Sequence, residues 1–237
     1  MNNEPSHLKT LGLIGGMSWE STVPYYQQIN QTVKAQLGGL HSAKLILYSV
    51  DFAQVEHLQA TGQWAAAGEL LADVARKLEG AGADALVLCT NTMHKVADAI
   101  TAAVNIPLLH IVDPTALAIQ QAGLNRVGLL GTRFTMEHDF YRSCLQHTHG
   151  LTVLTPPQVD RDLVHQIIYE ELCLGQVRDV SRQTYLRVIS DLQAQGAQAI
   201  ILGCTEISLL VQPRDCALPL FDTTALHARS AALWALA

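Results

Sequence analysis

The chain contains two pairs of matching segments, and this internal repeat predicts two halves that fold alike. Residues 78–90 read LEGAGADALVLCT, and residues 192–204 read LQAQGAQAIILGC. Upstream, LGLIGG (11–16) pairs with VGLLGT (127–132) at nearly the same offset, as expected of an ancient duplication. When the two copies are aligned, Thr90 of the first occupies the position of Cys204 in the second. Two such halves that face each other can present a hydroxyl and a thiol to opposite sides of a small molecule.

Short apolar runs alternate with longer amphipathic segments along the chain, a pattern typical of α/β proteins with parallel sheets. The short runs are continuously apolar or β-branched, as in strands covered on both faces. Asp113 and Asp222 are predicted N-caps of the helices that follow them. The predicted strands are 10–14, 44–50, 84–89, 107–110, 126–130, 151–154, 198–203 and 218–221, and the predicted helices are about 22–36, 63–79, 92–103, 114–122, 136–147, 160–174, 178–195 and 224–236.

The repeat also predicts where the domains begin and end. The segments NIPLL (105–109) and ALPLF (217–221) each follow a copy of the second repeat and lead into a helix. The simplest arrangement has the chain crossing between the halves twice. We therefore expect a first domain of 8–106 plus 219–237 and a second domain of 107–218, each a parallel sheet flanked by helices.

The composition excludes several classes of partner. The net charge is −6, and only 15 Lys and Arg residues are scattered along 237 positions, which argues against a nucleic-acid surface. No basic segment followed by an apolar stretch begins the sequence, and the longest apolar runs are too short to cross a bilayer. The five cysteines lack CxxC spacing, so we expect reduced thiols, a cytoplasmic location and neither a zinc site nor a redox motif.

Four loops with small polar residues follow predicted strands, where ligands bind in parallel sheets. These loops are GGMSWES (15–21), CTNTMH (89–94), GTRFTM (131–136) and GCTEI (203–207). Their hydroxyls, amides and helix N-termini favour a small anion such as an amino acid, whereas a phosphate loop is absent. The alternative interpretation is that these hydroxyls only cap helices.

Cys204 is the strongest candidate for catalysis. It follows a predicted strand and precedes a helical segment, and a helix N-terminus can lower a thiol pKa so that thiolate is present at neutral pH. A single cysteine is more often a small buried hydrophobic residue, but this one stands at a duplicated strand end. Cys89 aligns with Gly203 instead, so strand alternation predicts that Cys89 lies in the core.

The four loops resemble those of the aspartate/glutamate racemase family, and the likeness extends from about residue 10 to residue 236. GGMSWEST (15–22) together with LCTNTMHK (88–95) is closest to the enterobacterial broad-specificity amino-acid racemase branch. The resemblance implies an active site between two similar domains, an amino-acid substrate, and racemisation without pyridoxal phosphate or metal. It implies two cysteines on opposite faces of the substrate, one removing the Cα proton and the other returning a proton. Many members are homodimers, so self-association is also allowed.

The chain departs from the family at the first of these cysteines. The usual motif is C-N-T, whereas this sequence has Thr90 before Asn91 and Thr92. The resemblance then implies that Cys204 is the base for L-amino acids. A Thr hydroxyl can donate a proton but is a weak base near neutral pH, so we expect an isomerase biased towards L-substrates such as L-Asp and L-Glu.

The family pattern implies further roles for the loop residues. The α-carboxylate and α-amino group would be held by Asn91, Thr92, Thr132 and Thr205, and the first lobe would be lined by Met17 and Ser18. Glu206 could pair with the substrate ammonium, and His94 could assist proton transfer near Thr90. Aspartate-specific members often have a Lys in an E-E-[IL]-K-x-G stretch, where this chain has EELCLG with Cys173. A broader substrate range is therefore credible.

Two other functions stay open at this point. Arylmalonate decarboxylases are relatives that protonate a carbanion with a single Cys, and Thr90 would suit such an enzyme. An amino-acid-binding protein with decayed catalysis is the other alternative. The combination of GGMSWEST and NTMHK favours the racemase.

Overall fold

A computed structural model describes residues 8–237, which form two compact units. Unit 1 extends to His110 and resumes over His227–Ala237, whereas unit 2 is the continuous segment Ile111–Leu226. No helix within residues 8–237 is both long enough and apolar enough to span a bilayer.

Unit 1 contains a four-stranded parallel sheet in the order β2-β1-β3-β4. Helices connect successive strands, as parallel pairing requires. In chain order its elements are β1 (Leu11–Gly15), α1 (Trp19–Leu37), β2 (Leu45–Ser49), α2 (Phe52–Ala60), α3 (Trp64–Gly80), β3 (Ala85–Leu88), a 3₁₀ helix (Thr92–Val96), α4 (Ala97–Thr101) and β4 (Leu108–Leu109).

Unit 2 repeats this plan with a four-stranded parallel sheet in the order β6-β5-β7-β8. The α/β fold class and the two similar halves predicted from the repeat are thus confirmed. In chain order the elements of unit 2 are α5 (Val112–Gln121), β5 (Arg126–Gly131), α6 (Arg133–Glu137), α7 (Asp139–Ser143), a π turn (Cys144–Thr148), β6 (Thr152–Leu154), α8 (Gln158–Glu170), a 3₁₀ helix (Leu172–Leu174), α9 (Asp179–Ala194), β7 (Ala199–Gly203), α10 (Ile207–Leu210), a 3₁₀ helix (Pro213–Asp215), β8 (Leu220–Asp222) and α11 (Thr223–Leu236). The last turns of α11 belong to unit 1.

The division of the chain differs from the expected boundaries of 106/107 and 218/219. Those boundaries would place β4 with the second domain and β8 with the first. Instead β4 pairs with β3, with Leu86 opposite Leu108, and β8 pairs with β7, with Ile200 opposite Leu220. Each of these strands completes the sheet that precedes it, so the chain changes unit only afterwards.

The sheet of unit 1 is covered on both faces, and strand alternation decides which side chains face which layer. Ile14, Leu86 and Leu88 pack with α3, in a cluster that includes Leu71 and Leu78. The alternate side chains pack on the opposite face with residues of α1 and α11. These are Leu11, Leu13, Ala85, Val87 and Cys89 from the strands, Tyr25, Ile29 and Val33 from α1, and Ala228, Ala231, Ala232 and Ala235 from α11.

Strand register brings the predicted loops together within each unit. Ile14 of β1 lies opposite Leu88 of β3, so the loops that follow these strands leave the same edge of the sheet. In unit 2, Gly131 of β5 lies opposite Gly203 of β7. Each unit therefore has one polar edge formed by two of the four loops.

Candidate active site

The first loop of unit 1 is fixed by Gly16 and Thr22. Gly16 has a φ of +89°, and a Cβ at this position would lie 2.3 Å from the carbonyl oxygen of Val50. The Thr22 hydroxyl accepts a hydrogen bond from the Gly16 N–H at 2.9 Å and donates one to the Ser18 carbonyl at 2.9 Å. Met17 is buried in the hydrophobic cluster of α3, and Ser18 is also buried.

The second loop of unit 1 is a tight turn after β3. Thr90, Asn91, Thr92 and His94 are all buried in it. The Thr90 N–H donates to the Leu88 carbonyl at 2.9 Å, and the His94 N–H donates to the Asn91 carbonyl at 3.1 Å. His94 Nδ1 lies 2.8 Å from the Thr90 carbonyl oxygen. Because a carbonyl only accepts, His94 carries its proton on Nδ1.

Burial lowers the pKa of His94 well below its ordinary value, and the neighbouring His110 and His227 rings lower it further. The imidazole is therefore neutral at physiological pH, with its tautomer fixed by Thr90.

Cys89 precedes this turn and lies in the core, as strand alternation predicts. It is fully buried among apolar residues, including Leu13 and Tyr25. Its Sγ lies 3.7 Å from the Val87 carbonyl, and burial raises its pKa. A buried thiol of this kind is chemically inert, so it does not replace the cysteine missing at position 90.

The polar edge of unit 2 contains a thiol that is hydrogen-bonded to a carboxylate. The Cys204 thiol donates to Glu206 Oε2 at 2.9 Å, and the Thr205 hydroxyl donates to the same oxygen at 2.8 Å. All three residues are buried, with Cys204 only 8% exposed. A carboxylate that accepts a thiol hydrogen bond is positioned to remove that proton.

The predicted lowering of the Cys204 pKa is wrong. Burial raises the pKa well above the ordinary value, and the charge of Glu206 raises it further, since both disfavour a thiolate. The backbone N–H of Glu206 acts in the opposite direction but does not prevail. α10 begins only at Ile207 and has four residues, so it is a minor source of positive potential. The resting form of Cys204 is therefore the thiol.

Thr132 lies at the same edge, directly after the Gly131–Gly203 pair of β5 and β7. It is the N-cap of α6, and its hydroxyl accepts from the Thr135 N–H at 3.3 Å. Capping is thus part of its role, as the alternative interpretation of the polar loops requires. The Thr132 and Thr135 hydroxyl oxygens are also 3.2 Å apart.

Two neighbours of Cys204 were not predicted from the sequence. Tyr185 of α9 is fully buried and donates to the Val164 carbonyl at 3.2 Å. Burial raises its pKa, and the nearby Cys204, Cys173 and Glu206 groups raise it further. Cys173 likewise raises the pKa of Cys204. Sequence reasoning could not group these residues because they come from separate helices.

The two edges therefore have different chemistry. Unit 2 has a thiol that donates a hydrogen bond to a carboxylate, whereas unit 1 has a hydroxyl, an amide and a neutral imidazole in one turn. Among the described residues, no set of three His, Cys, Asp or Glu side chains close enough to bind a metal includes Cys204 or Glu206. Within unit 2, the groups at the polar edge are suited to acid/base work on a bound molecule.

Comparison with known proteins agrees with this chemistry. The model of the Asp/Glu/hydantoin racemase family matches residues 14–231. A crystal structure from Yersinia pestis, provisionally assigned as an Asp/Glu racemase, is 62% identical, with a TM-score of 0.89 over 97% of this chain and 100% of that chain. The broad-specificity amino-acid racemase RacX of Bacillus subtilis is 24% identical over 229 residues, which cover 93% of this chain and 95% of that protein.

A glutamate racemase from Persephonella marina matches over a shorter region. It is 28% identical over 140 residues, which cover 58% of this chain and about half (52%) of that relative. The family model, in contrast, covers almost all of the described residues. The chain therefore belongs to the Asp/Glu/hydantoin racemase family, and the expectation of an amino-acid racemase is confirmed at the level of that family.

Proposed function

We propose that this protein interconverts the enantiomers of amino acids without a cofactor, with Cys204 as the base and Thr90 on the opposite face of Cα. The observation that carries this proposal is the 2.9 Å hydrogen bond from the Cys204 thiol to Glu206. The thiol's pKa is raised, so a proton acceptor is needed before sulfur can act as a base. Glu206 supplies that acceptor at hydrogen-bonding distance.

The reaction begins with the transfer of the thiol proton from Cys204 to Glu206. The resulting thiolate removes the Cα proton of the L-amino acid, and the electron pair of the C–H bond becomes the carbanion. The Thr90 hydroxyl then donates a proton to the other face and regains one from water. Cys204 keeps the Cα proton and is again a thiol, and loss of the Glu206 proton to solvent restores the starting state and balances the proton that Thr90 took from water.

Substrate binding is assigned to the polar groups around these two residues. Asn91 and Thr92 would bind the α-carboxylate and α-amino group from unit 1, and Thr132 and Thr205 from unit 2. Their burial supports this assignment, because hydrogen bonds to an anion are strongest where water is excluded. Met17 and Ser18 would line the first lobe, and His94 would hold the Thr90 turn.

The proposal includes a bias towards L-substrates. D-amino acids would need Thr90 as the base, and an alkoxide is inaccessible near neutral pH. Cys89 does not supply the missing base because it lies in the core. The side-chain preference is assigned to L-Asp, L-Glu or a wider set, since Cys173 occupies the position where aspartate-specific members have a Lys.

Incubation with L-Glu or L-Asp in deuterated water tests the proposal. Deuterium at Cα together with D-product is the expected result. Cys204→Ala should remove essentially all turnover, whereas the matched control Cys216→Ala should retain it. Exchange without inversion would instead indicate a one-sided acid/base enzyme, as in arylmalonate decarboxylases, and binding without exchange would indicate a binding protein. Full activity of Cys204→Ala would refute the assignment of the base.

A further inference from the structure

Four ionisable side chains form a cluster in unit 1, behind the Thr90 turn, and three of them, Tyr25, His94 and His227, are buried. The His94 ring lies with its centroid 4.5 Å from that of His110 and 6.0 Å from that of His227. Tyr25 meets His227 edge-on at 5.6 Å. These residues come from four places in the chain: Tyr25 from α1, His94 from the 3₁₀ helix after β3, His110 from just after β4, and His227 from α11.

The hydrogen bonds of His227 fix its tautomer. Its Nε2 lies 2.8 Å from the Leu109 carbonyl oxygen, which only accepts, so Nε2 carries the proton. In the neutral ring Nδ1 is then an acceptor, and it accepts a hydrogen bond from the Tyr25 hydroxyl at 2.9 Å. The ring is therefore held from both sides in one orientation, between α1 and β4.

This fixed ring forms part of the surface against which His94 packs. His94 in turn donates from Nδ1 to the Thr90 carbonyl oxygen. Tyr25 and His227 are both buried, so their polar atoms have little access to water. A continuous set of contacts thus leads from the Tyr25 hydroxyl, through His227 and His94, to the backbone of Thr90.

We propose that Tyr25 and His227 are positioning residues for the Thr90 side of the reaction and act through His94. The proposal rests on the proposed function, in which Thr90 protonates the D face of the carbanion. Displacement of the Thr90 turn slows inversion. Exchange on the L face depends on Cys204 and Glu206 and is unaffected.

The ratio of D-product to deuterated L-substrate, measured at early times in deuterated water, tests this proposal. The ratio does not depend on the amount of active enzyme, so a general loss of folded protein leaves it unchanged. Tyr25→Phe removes one hydrogen bond of the cluster and should lower the ratio by about fivefold, the usual effect of one such bond. His227→Leu removes both hydrogen bonds of the ring and should lower the ratio at least as much. His227→Gln should restore it, because the amide can donate to Leu109 and accept from Tyr25. Tyr26→Phe is the matched control on the exposed side of α1 and should leave the ratio unchanged.

Amide hydrogen exchange of the same variants gives a readout that needs no turnover. His227→Leu should speed exchange in residues 89–96 and leave 203–207 unchanged. Unchanged protection in 89–96, or an unchanged product ratio in both His227→Leu and Tyr25→Phe, would overturn the positioning role. Failure of the wild-type protein to exchange or invert any amino acid would instead refute the proposed function, and the amide exchange result would still decide whether the cluster holds the turn.

Discussion

Replacement of Glu206 by Gln should have opposite effects on the reactivity of the Cys204 thiol and on racemisation. The substitution keeps the shape of the side chain and removes a negative charge whose oxygen is 2.9 Å from Sγ. At an effective dielectric constant of about 20, two unit charges about 4 Å apart interact by about 4 kcal/mol. Removal of this repulsion should lower the pKa of Cys204, because the Glu206 charge is one of the causes that raise it.

The expected change in the thiolate population of Cys204 is large enough to measure by alkylation. A change of 4 kcal/mol corresponds to about a thousandfold more thiolate, and 1.36 kcal/mol is a factor of about ten. Burial still opposes ionisation, so the expected gain is at least about tenfold. The rate of alkylation of Cys204 by iodoacetamide at neutral pH, resolved by peptide mass spectrometry from the other four cysteines, measures it. Racemisation should fall by about 10²- to 10⁴-fold, as expected for loss of a general base.

Glu137→Gln is the matched control. It removes the same charge from unit 2, at a carboxylate that pairs with Arg161 rather than with Cys204. Neither alkylation nor racemisation should change in this variant. Slower alkylation of Cys204 in Glu206→Gln, or an undiminished rate of racemisation, would refute the role of Glu206 as proton acceptor.

Three further predictions concern unit 1. Thr90→Cys should raise turnover of D-substrates at least about tenfold, because a thiol can act as a base where a hydroxyl cannot; no gain would show that residue 90 does not face the D side. The pKa of His94 is depressed in the folded state, so below about pH 6.5 the unfolded chain binds more protons and stability falls as pH decreases. His94→Gln should reduce the slope of unfolding free energy against pH, by about 0.7 kcal/mol per pH unit near pH 6.5 and about 1.4 near pH 5 in denaturant titrations, and an unchanged slope would contradict the depressed pKa. Gly16→Ala should destabilise the protein by about 1–3 kcal/mol more than Gly82→Ala, since both have positive φ but only at Gly16 does a new Cβ collide with the Val50 carbonyl; equal midpoints of unfolding would contradict this.

The features predicted correctly from the sequence depend on local pattern. All eight strands within residues 8–237 lie in the predicted runs or one residue beyond them, because strands covered on both faces are continuously apolar. The core position of Cys89 follows from the two-residue period of a strand, which places it with Val87. Asp222 caps α11 as predicted, accepting from the Thr224 and Ala225 N–H groups.

The features that were missed depend on tertiary contacts. α2 was not predicted, since its nine residues bury only Val55 and Gln59; the available signal was Asp51, which accepts from the Ala53 N–H. Asp113 does not cap α5, because the helix begins at Val112 and the Asp113 carboxylate contacts His149 instead.

The pKa of Cys204 was also predicted wrongly because it depends on tertiary contacts. A position before a helix predicts a lowered pKa, but the direction is decided by desolvation and by a carboxylate only two residues away. The Glu206 side chain was visible in the sequence, yet its approach to sulfur depends on the turn after β7. The cluster around His227 was equally hidden, since Tyr25 and His227 are 202 positions apart.

Unit 1 consists of two segments that flank unit 2 in the sequence, and this affects the order in which the units can fold during synthesis. The ribosome makes residues 227–237 after the whole of Ile111–Leu226, so the second unit can reach its native structure while the first still lacks part of one layer. Until those residues emerge, Leu11, Leu13 and Cys89 have no alanine-rich helix to cover them. Nascent chains halted before residue 227 should accordingly expose this apolar face to chaperones, although every strand of the first sheet has already been synthesised.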